Sequence, residues 1–482
     1  MHTEQKLNMT MLCDFYELTM GNGYFQAGYQ DRITYFDVFF RDVPDKGGFA
    51  ICAGLDQLID YIQNLHFDEE DIAYLRSKGL FSEAFLNFLR EFRFTGDIWA
   101  IPEGTPIFPR EPILTVRAPA IQAQLIETFT LLTVNHQSLI ATKANRIVRA
   151  AQGRTVLEFG SRRAQGTDGA ISGARAAYIG GCKGTACTIS DQMYGVPAGG
   201  TMAHSWVQMF ESQYEAFKTY CEIYPTNATL LVDTYNVLKS GVPDAIRAFD
   251  DVLKPLGIKK CGIRLDSGDI AYLTREARKM LDAAGWTECQ ISASNSLDEY
   301  IIQDLIQQGA KIDLFGVGER MITARSEPVF GGVYKLIAVE DSAGNIIPKI
   351  KVSENVGKIT DPHFKKVYRI YDKKSGKAEA DYLTVWDETI DETQPLELFD
   401  PMATWKRKTY TNYGVKPLQV PVFLHGELVY QRPSLQEIQK YCQEQVDTLW
   451  DEVKRFENPH TYYVDLSQKL WDIKQGLLRK NR

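Results

Sequence analysis

The sequence predicts an α/β fold built on a parallel sheet, and the middle of the chain carries this prediction. Short runs rich in β-forming residues alternate there with helical segments, at Thr155–Phe159, Thr229–Asp233, Gly262–Asp266, Gln290–Ser294 and Asp313–Val317. The alternation repeats roughly every 30 residues, which is the rhythm of βαβ units. Periodicity alone does not decide between an open sheet and a closed barrel.

The first third of the chain mixes helix and strand signals. Thr34–Phe40 is rich in β-formers and predicts a strand, whereas Ile51–Leu65 carries apolar residues at helical spacing. Gly96–Arg117 contains four prolines, which favour short strands separated by turns. A long helical pattern then extends from Gln122 to Ala151.

Helical spacing also separates the predicted strands, at Trp206–Tyr220, Pro243–Leu253, Leu273–Ala284 and Leu297–Gln308. The residues Ser296 to Glu299 have a capping-box pattern, which marks the start of the last of these helices. After Ala338 the alternation fades. Two amphipathic helices are predicted at the end of the chain, near Ser434–Phe456 and Leu466–Arg479.

Composition indicates a globular protein of 482 residues with 62 acidic and 54 basic side chains. The net charge of −8 argues against a nucleic-acid partner, which usually requires a basic surface. The eight cysteines show no CxxC spacing, so neither a zinc site nor a disulfide framework is expected. Met1–Met20 lacks the apolar core of a signal peptide, and no apolar stretch is long enough for a membrane span. We therefore expect a cytoplasmic protein without a membrane partner.

Polar residues or glycines stand at or just beyond the ends of all five predicted strands of the sheet. They are Ser161, Arg162 and Arg163 after the first, Asp233 and Thr234 at the end of the second, Arg264 and Asp266 at the end of the third, Asn295 after the fourth, and Gly316 and Gly318 at the end of the fifth. Each alone fits an ordinary turn, but the carboxyl ends of parallel strands are where active sites form. Arg264 and Asp266 share one face of a strand and suit a ligand with phosphates and hydroxyls, with a buried structural ion pair as the alternative.

His204 lies just before a predicted helix, and Asp233 at the end of the next strand is a natural group to orient its ring. The alternative is a local hydrogen bond at a helix start. Gly316 and Gly318 allow close backbone approach to a phosphate. Tyr16 is most simply a core aromatic, and Arg41 is either a phosphate ligand or a solvated loop charge.

Eight segments taken together resemble the nicotinate phosphoribosyltransferase family. They are LCDFYELTM (12–20), FFRDVPDKGGFAICAGL (39–55), EFGSRRAQGTDGA (158–170), GGTMAHSW (199–206), LLVDTYNV (230–237), IRLDSGD (263–269), ISASNSLDE (291–299) and FGVGERM (315–321). They occur in order from Leu12 to Val339, about two-thirds of the chain. EFGSRRAQG and GTMAHSW are the most specific of them.

The resemblance implies an α/β fold of the type II phosphoribosyltransferase kind. This fold combines an irregular α/β barrel with an α/β sandwich domain, here followed by a helical C-terminal extension. The expected boundaries are 1–135 for the sandwich domain and 136–340 for the catalytic barrel. Residues 341–482 would partly complete the N-terminal domain and end in helices.

The resemblance also implies the reaction and the partners. Nicotinate and phosphoribosyl pyrophosphate would give nicotinate mononucleotide and pyrophosphate for NAD biosynthesis, and the reaction would be coupled to ATP hydrolysis. Mg²⁺ would be the cofactor, with no metal site built from protein ligands alone. Each active site would be completed by the second subunit of a homodimer. The nearest alternative is an enzyme of the same fold that uses nicotinamide or quinolinate. Two alternatives from other functional classes are a non-catalytic sugar-phosphate sensor and a metal-dependent hydrolase. A phosphorylatable histidine argues against quinolinate and against a sensor, and the absence of clustered metal ligands argues against the hydrolase.

Carried over residue by residue, the resemblance makes His204 the histidine that ATP phosphorylates and Asp233 the carboxylate that holds its ring. Phe159 would stack on the pyridine, with Tyr16 of the partner subunit on the opposite face. Ser161, Arg162 and Arg163 are candidates for the nicotinate carboxylate and for pyrophosphate. Arg264 and Asp266 would surround the ribose and pyridine, and Asn295, Gly316 and Gly318 would form the 5′-phosphate cradle.

Overall fold

The computed structural model describes residues 8–480. The first seven residues of Met1–Met20, the segment in which no signal peptide is predicted, lie outside this range. The chain forms two compact units. One comprises Met1–Leu139 with Val329–Arg482, and the other comprises Ile140–Pro328. The strand–helix alternation that the sequence places in the middle of the chain therefore belongs to the second unit.

The α-helices, in chain order, are α1 (Phe15–Gln26), α2 (Leu55–Asn64), α3 (Glu69–Ser77), α4 (Glu83–Arg90), α5 (Ala120–Leu125), α6 (Glu127–Ala150), α7 (Gly166–Ile179), α8 (Thr188–Tyr194), α9 (His204–Gln208), α10 (Gln213–Ile223), α11 (Val242–Ala248), α12 (Ile270–Ala283), α13 (Glu299–Gln307), α14 (Glu319–Ile322), α15 (Leu435–Asp447) and α16 (Gln468–Lys480). Short 3₁₀ turns occur at Pro44–Lys46, Ser161–Arg163 and Val356–Lys358. Two π-helical stretches, Val237–Gly241 and Phe249–Leu253, flank α11.

The strands are β1 (Ile33–Phe39), β2 (Ala50–Ile51), β3 (Asp97–Ala100), β4 (Pro106–Ile107), β5 (Leu114–Pro119), β6 (Thr155–Glu158), β7 (Thr229–Leu231), β8 (Gly262–Leu265), β9 (Gln290–Ser294), β10 (Leu314–Val317), β11 (Val333–Glu340), β12 (Ile346–Pro348), β13 (Lys365–Asp372), β14 (Ala378–Val385), β15 (Leu396–Asp400), β16 (Ala403–Tyr410), β17 (Tyr413–Pro417), β18 (Val420–Leu424), β19 (Glu427–Leu428) and β20 (Tyr463–Leu466). Among residues 8–480, no helix combines the length and the apolar character needed to cross a lipid bilayer.

The first unit is built around a seven-stranded sheet in the order β12-β11-β1-β5-β3-β18-β19. A second sheet, β17-β13-β14-β20, comes entirely from the last third of the chain. Strand β1 pairs antiparallel with both β5 and β11, so segments 300 residues apart in sequence share one sheet. At the C-terminal end, Ser434 and Glu437 form a capping box that starts α15.

The second unit contains a five-stranded parallel sheet in the order β6-β10-β9-β8-β7. Its core is a cluster of buried apolar side chains that includes Leu230, Ile263 and Ile291 from the strands and Phe217 and Leu281 from the helices. All five strands run in one direction, so their carboxyl ends lie along the same edge. The five strands predicted from the sequence are confirmed, each within two residues of its expected ends.

Single parallel bridges extend the sheet of the second unit past β6 to Thr185 and then to Ala198. Six residues further along the chain, the ring of His204 contacts Thr234, three residues beyond the end of β7. The chain therefore connects one edge of the sheet to the other, although the backbone hydrogen bonds described within residues 140–328 do not close a ring.

Three local predictions differ from the structure. The predicted helix Trp206–Tyr220 is two helices, because Ser212 caps a new start at α10. The N-cap of α13 is Asp298 rather than Ser296, because Asn295 and Ser296 both have positive φ and Ser296 cannot take the extended backbone of a cap. Strands rather than helices fill most of residues 346–428, ahead of the predicted C-terminal helices.

Candidate active site

The carboxyl ends of the parallel strands bring most of the predicted site residues of the second unit to one place. Because β6 and β10 are paired through Glu158 and Val317, Phe159 and Gly318 follow neighbouring strands. Pairing of β8 with β9 and β7 places Asp266 between the segments that carry Asn295 and Asp233. The order along this edge is therefore Phe159, Gly318, Asn295, Asp266 and Asp233.

His204 is the first residue of α9, and its imidazole faces the turn that follows β7. Its Nδ1 atom is hydrogen-bonded to Oγ1 of Thr234 at 3.0 Å. Its Nε2 atom lies 4.0 Å from Oδ1 of Asp233. The His204 side chain is 41% exposed, whereas that of Asp233 is 1% exposed. The ring therefore contacts solvent on one side and a buried carboxylate on the other.

Asp233 lies two residues beyond the end of β7, and hydrogen bonds from the next strand fix it there. Its Oδ2 atom accepts hydrogen bonds from the backbone N–H of Asp266 at 2.9 Å and from the Ser267 hydroxyl at 2.6 Å. Its Oδ1 atom is buried and has no hydrogen-bond partner among the described residues. A buried carboxylate oxygen without a donor is costly, so this atom is available to a cation or a protonated ligand.

Arg264 on β8 connects the sheet to the segment before His204. Its guanidinium donates to Oγ1 of Thr201 at 2.8 Å and to the carbonyl oxygen of Met202 at 2.9 Å. Burial lowers the pKa of Arg264; the charges of Asp266 and Asp233 oppose this effect, and that of Arg162 adds to it. Arg264 therefore lies within electrostatic reach of both carboxylates and of a second guanidinium.

Asp266 follows β8 directly, and its Oδ1 atom accepts a hydrogen bond from the Ser294 hydroxyl at 2.5 Å. Beyond Ser294, Asn295 is exposed with φ of 84°, a left-handed conformation that asparagine tolerates better than most residues. This conformation turns the chain sharply at the end of β9. The carboxylate of Asp266 and the turn at Asn295 therefore lie next to each other along the edge.

Phe159 lies against the glycines of β10. Its N–H donates to the carbonyl oxygen of Val317 at 2.8 Å. A Cβ atom on Gly316 would lie 2.4 Å from the Phe159 ring, and one on Gly318 would lie 3.0 Å from the Phe159 carbonyl oxygen. The two glycines therefore make the space that Phe159 occupies.

The buried carboxylate of Glu158 supports the turn that follows Phe159. It accepts hydrogen bonds from the Gly160 N–H and, at 2.5 Å, from the Thr185 hydroxyl. Burial raises the pKa of Glu158. The next residues, Ser161–Arg163, form a 3₁₀ turn in which Arg162 and Arg163 are exposed and the Ser161 hydroxyl oxygen is buried without a described partner. This turn thus presents one hydroxyl and two guanidinium groups.

A cleft of about 430 Å³ lies beside this turn. It is lined by Arg163, Gln165, Glu319, Thr323, Arg325 and Pro328. Two of the lining residues, Glu319 and Arg325, form an ion pair at 3.1 Å. The cleft is therefore lined by two arginines, Arg163 and Arg325.

Sequence comparison assigns the chain to a family. The models of the nicotinate phosphoribosyltransferase N-terminal and C-terminal domains match residues 11–135 and 364–474. Nicotinate phosphoribosyltransferase of Bacillus subtilis (strain 168) is 43% identical over 469 residues, which cover 97% of this chain and 94% of that protein. The chain belongs to the nicotinate phosphoribosyltransferase family. A mouse nicotinate phosphoribosyltransferase is 31% identical and aligns with 95% of each chain.

Solved structures place the fold in the same family. Human nicotinic acid phosphoribosyltransferase matches with a TM-score of 0.85 and 29% identity, over 96% of this chain and 99% of that one. This match confirms the predicted fold class, a mixed α/β chain of the type II phosphoribosyltransferase kind. Nicotinate-nucleotide pyrophosphorylase from Pyrococcus furiosus, at 24% identity and a TM-score of 0.70, shares the fold.

The first unit of this nicotinate phosphoribosyltransferase family member carries two of the predicted site residues, Tyr16 and Arg41. Tyr16 is 43% exposed on α1, and burial together with the charge of Glu127 raises the pKa of its hydroxyl. Burial lowers the pKa of Lys335; the charge of Glu127 opposes this effect, and the charges of Arg41 and Lys351 add to it. Arg41 is therefore within electrostatic reach of Lys335.

Sequence reasoning assigned no individual role to three residues that this arrangement brings forward. Thr234, not only Asp233, contacts the His204 ring, and Glu158 fixes the turn with Arg162 and Arg163. Lys335 is within electrostatic reach of Arg41. The polar positions Thr234 and Glu158 stand at strand ends, which is a signal the sequence does contain. Lys335 gives no such signal, because it lies within β11.

Proposed function

We propose that this enzyme transfers the phosphoribosyl group of phosphoribosyl pyrophosphate to nicotinate and couples the transfer to ATP hydrolysis through transient phosphorylation of His204. One observation carries this proposal. In a chain of the nicotinate phosphoribosyltransferase family, His204 lies beside Asp233, and Asp233 is tied by hydrogen bonds to the segment that carries Asp266. A phosphoryl acceptor and the carboxylates of a sugar site are therefore neighbours.

The pyridine ring would bind against Phe159. Its side chain is half-buried and backed by Gly316, so an aromatic ligand can stack on its free side. Tyr16 of a second subunit would cover the opposite face of the pyridine. Ser161, Arg162 and Arg163 supply a hydroxyl and two guanidinium groups beside Phe159, which favours the carboxylate of nicotinate over the amide of nicotinamide.

The phosphate groups of the sugar would bind at the turns around the strand ends. Asn295, Gly316 and Gly318 would form the cradle of the 5′-phosphate, where backbone N–H groups can approach closely. The diphosphate would lie near the cations, with Arg41 and Lys335 contributed by the partner subunit of a homodimer. Shared sites of this kind explain why the first unit exposes Tyr16 away from the core.

The pyridine nitrogen attacks C1′ of the sugar while the bond from C1′ to the diphosphate oxygen breaks. Positive charge develops on the sugar ring, and the carboxylate of Asp266 is the group placed to stabilise it. Binding the pyridine in line with the leaving group supplies most of the remaining acceleration. The diphosphate leaves with its charge neutralised by the guanidinium groups.

The carboxylates of Asp233 and Asp266 fit a magnesium ion that enters with the diphosphate. Oδ1 of Asp233 is buried without a described partner, and within residues 8–480 no three His, Cys, Asp or Glu side chains are grouped to hold a metal alone. Magnesium typically takes one or two carboxylates and completes its shell with phosphate oxygens and water. Bound in this way, it would neutralise charge on the leaving diphosphate.

Coupling to ATP would proceed through the imidazole. A ring nitrogen of His204 attacks the γ-phosphorus, the bond to the β-phosphate oxygen breaks, and ADP leaves. Water then hydrolyses the phosphohistidine and releases inorganic phosphate. The phosphoryl group adds about two negative charges beside the site, so its presence changes how the site holds the substrates.

We also propose that the enzyme acts in the cytoplasm. All eight cysteines are free thiols, and seven of them are buried. Unpaired thiols are typical of a reducing compartment.

Incubation with ATP labelled at the γ-phosphate tests the proposal. We expect acid-labile label on the protein, absent from a His204→Asn variant, and release of pyrophosphate that depends on nicotinate. Label without nicotinate-dependent pyrophosphate release would contradict the transfer reaction. Pyrophosphate release without any label would contradict the phosphohistidine alone.

A further inference from the structure

The imidazole of His204 has two neighbours of different chemistry. The hydroxyl of Thr234 is within hydrogen-bond distance of Nδ1, at 3.0 Å. The carboxylate oxygen Oδ1 of Asp233 lies 4.0 Å from Nε2, beyond direct hydrogen-bond distance. The direct side-chain contact of this ring is therefore with Thr234.

The neighbouring side chains hold both Asp233 and the backbone of His204 in place, so neither can move to exchange these two contacts. Asp233 is held at Oδ2 by the Asp266 N–H and the Ser267 hydroxyl, so the direction of Oδ1 is fixed. Arg264 holds the backbone that leads into His204 by its bonds to Thr201 and Met202. What remains free is rotation of the imidazole about its own side-chain bonds, and Thr234 restrains that rotation.

We propose that Thr234 is a positioning residue for His204, whose hydroxyl holds Nδ1 and so keeps Nε2 directed at Asp233 until phosphoryl transfer. This inference rests on the proposed phosphorylation of His204. A threonine hydroxyl can donate to an unprotonated ring nitrogen or accept from a protonated one, so it restrains the orientation of both tautomers. The ring attacks through the nitrogen that keeps its lone pair. With Nδ1 protonated and donating to Thr234 Oγ1, that nitrogen is Nε2, whereas a proton that Asp233 draws onto Nε2 blocks the attack.

Removal of the hydroxyl would free the ring. Without Thr234 Oγ1, either nitrogen can turn toward the unpartnered oxygen of Asp233, and the imidazole then has more than one resting orientation. A nucleophile with several orientations attacks less often, which lowers the rate of phosphorylation rather than the affinity for ATP. The expected signature is a loss in kcat of the ATP-dependent reaction with little change in KM.

The experiment compares Thr234→Val, which removes the hydroxyl but keeps the shape, with Thr234→Ser, which keeps the hydroxyl. Thr226→Val, an exposed threonine ahead of the same strand β7, is the matched control. Each full-length protein is labelled with ¹⁵N-histidine, and the signal of His204 among the seven histidines is assigned with His204→Asn. Two quantities are measured, namely the tautomer ratio of the resting His204 ring and the rate of labelling by γ-labelled ATP.

We expect Thr234→Val to change the tautomer ratio and to slow labelling about tenfold or more, while Thr234→Ser and Thr226→Val resemble wild type. An unchanged ratio and rate in Thr234→Val would overturn the proposal. If Thr234→Val and Thr234→Ser lose the signal pattern equally, packing rather than the hydroxyl is responsible, and the proposal is overturned.

The tautomer measurement needs neither substrate nor turnover. If wild type takes no label at all, the phosphohistidine is wrong, yet the comparison of tautomer ratios still decides whether Thr234 positions the ring. The two failures are therefore distinguishable. Thr234→Ala serves as a second variant if Thr234→Val does not fold, with the same expected loss.

Discussion

The ring of Phe159 lies directly over Gly316, where a Cβ atom would be 2.4 Å from Cδ2 of the ring and 2.5 Å from Cε2. No real side chain tolerates such a contact, so the position of Phe159 requires glycine on the neighbouring strand. The Phe159 surface proposed to stack on the substrate therefore depends on Gly316, which has no side chain to contact a ligand.

Gly316→Ala should displace the Phe159 ring and raise the KM for nicotinate by about tenfold or more, because the stacking surface moves. Overpacking should also lower the stability of the protein by about 1–3 kcal/mol. Steady-state kinetics and thermal unfolding measure the two effects. Gly476→Ala, at a helix position with nothing within 4 Å, is the control; it should leave the KM unchanged and raise the stability by about 0.5–1 kcal/mol. Unchanged KM in Gly316→Ala would contradict stacking on Phe159.

Asp266→Asn tests the stabilisation of positive charge on the sugar. Asparagine keeps the size of the side chain and can still accept from the Ser294 hydroxyl, so the local structure should persist. Loss of the charge should lower kcat by about two orders of magnitude with little change in the KM for nicotinate. A change confined to KM would instead assign Asp266 to substrate binding.

The strands of the parallel sheet could be predicted from the sequence, because runs such as Gln290–Ser294 are rich in β-formers and end in turn residues. The structure confirms that strand with the same bounds. The common edge of the five strands followed from the same pattern, and with it the positions of Asp233, Asp266 and Phe159 along that edge. Local sequence is sufficient here because each strand is short and each end has its own polar signal.

The cap of α13 shows what local sequence does not decide. Ser296 and Asp298 are both good N-cap residues, and the pattern with Glu299 favoured Ser296. In the structure Glu299 is buried and accepts from Lys143 at 2.8 Å and from Arg146 at 2.9 Å. Those partners are more than 150 residues away in sequence, so the choice of cap depends on tertiary contacts.

The same limit applies to the candidate site. Asp233 was the expected partner of His204, whereas the direct hydrogen bond comes from Thr234. The side chains of two adjacent residues in a turn point in different directions. The sequence does not specify which of the two side chains faces the ring. The strands between residues 346 and 428 were missed for a related reason. In β16, most side chains are exposed, so no alternation of apolar and polar residues marks it.

Pairwise complementation tests whether active sites are shared between subunits. Tyr16→Ala and His204→Ala should each lose nearly all ATP-stimulated turnover as homodimers. In a heterodimer of the two, one site would combine an intact His204 with an intact Tyr16 from the other chain. Heterodimers isolated with two different affinity tags should recover up to about half of the wild-type rate. No recovery would indicate that each site uses its own Tyr16.

His204→Ala should abolish the stimulation of turnover by ATP. Some uncoupled transfer should remain at high phosphoribosyl pyrophosphate, because the groups that bind the sugar and pyridine are separate from the imidazole. Rates with and without ATP, for wild type and variant, measure the effect. Equal stimulation of both proteins by ATP would refute the role of His204.

Glu17 on α1 gives the stability of the protein a dependence on pH. Its carboxylate is fully buried, accepts from the Thr128 N–H at 3.2 Å and from the Thr128 hydroxyl at 2.5 Å, and leaves Oε2 without a described partner. Burial raises the pKa of Glu17 to about 7. The folded state therefore holds a proton that the unfolded state releases near its ordinary pKa of 4.5.

Stability should consequently fall as the pH rises from about 4.5 to about 7, because ionising Glu17 in the folded protein costs free energy that the unfolded chain does not pay. Glu17→Gln mimics the protonated form and can keep both bonds from Thr128. At pH 8 it should exceed wild type in unfolding free energy by up to about 3 kcal/mol, and at pH 4.5 the difference should nearly vanish. Thermal midpoints between pH 4.5 and 8 measure this, with the exposed Glu91→Gln as control. If the curves of wild type and Glu17→Gln run parallel over that range, Glu17 is already ionised in the folded state.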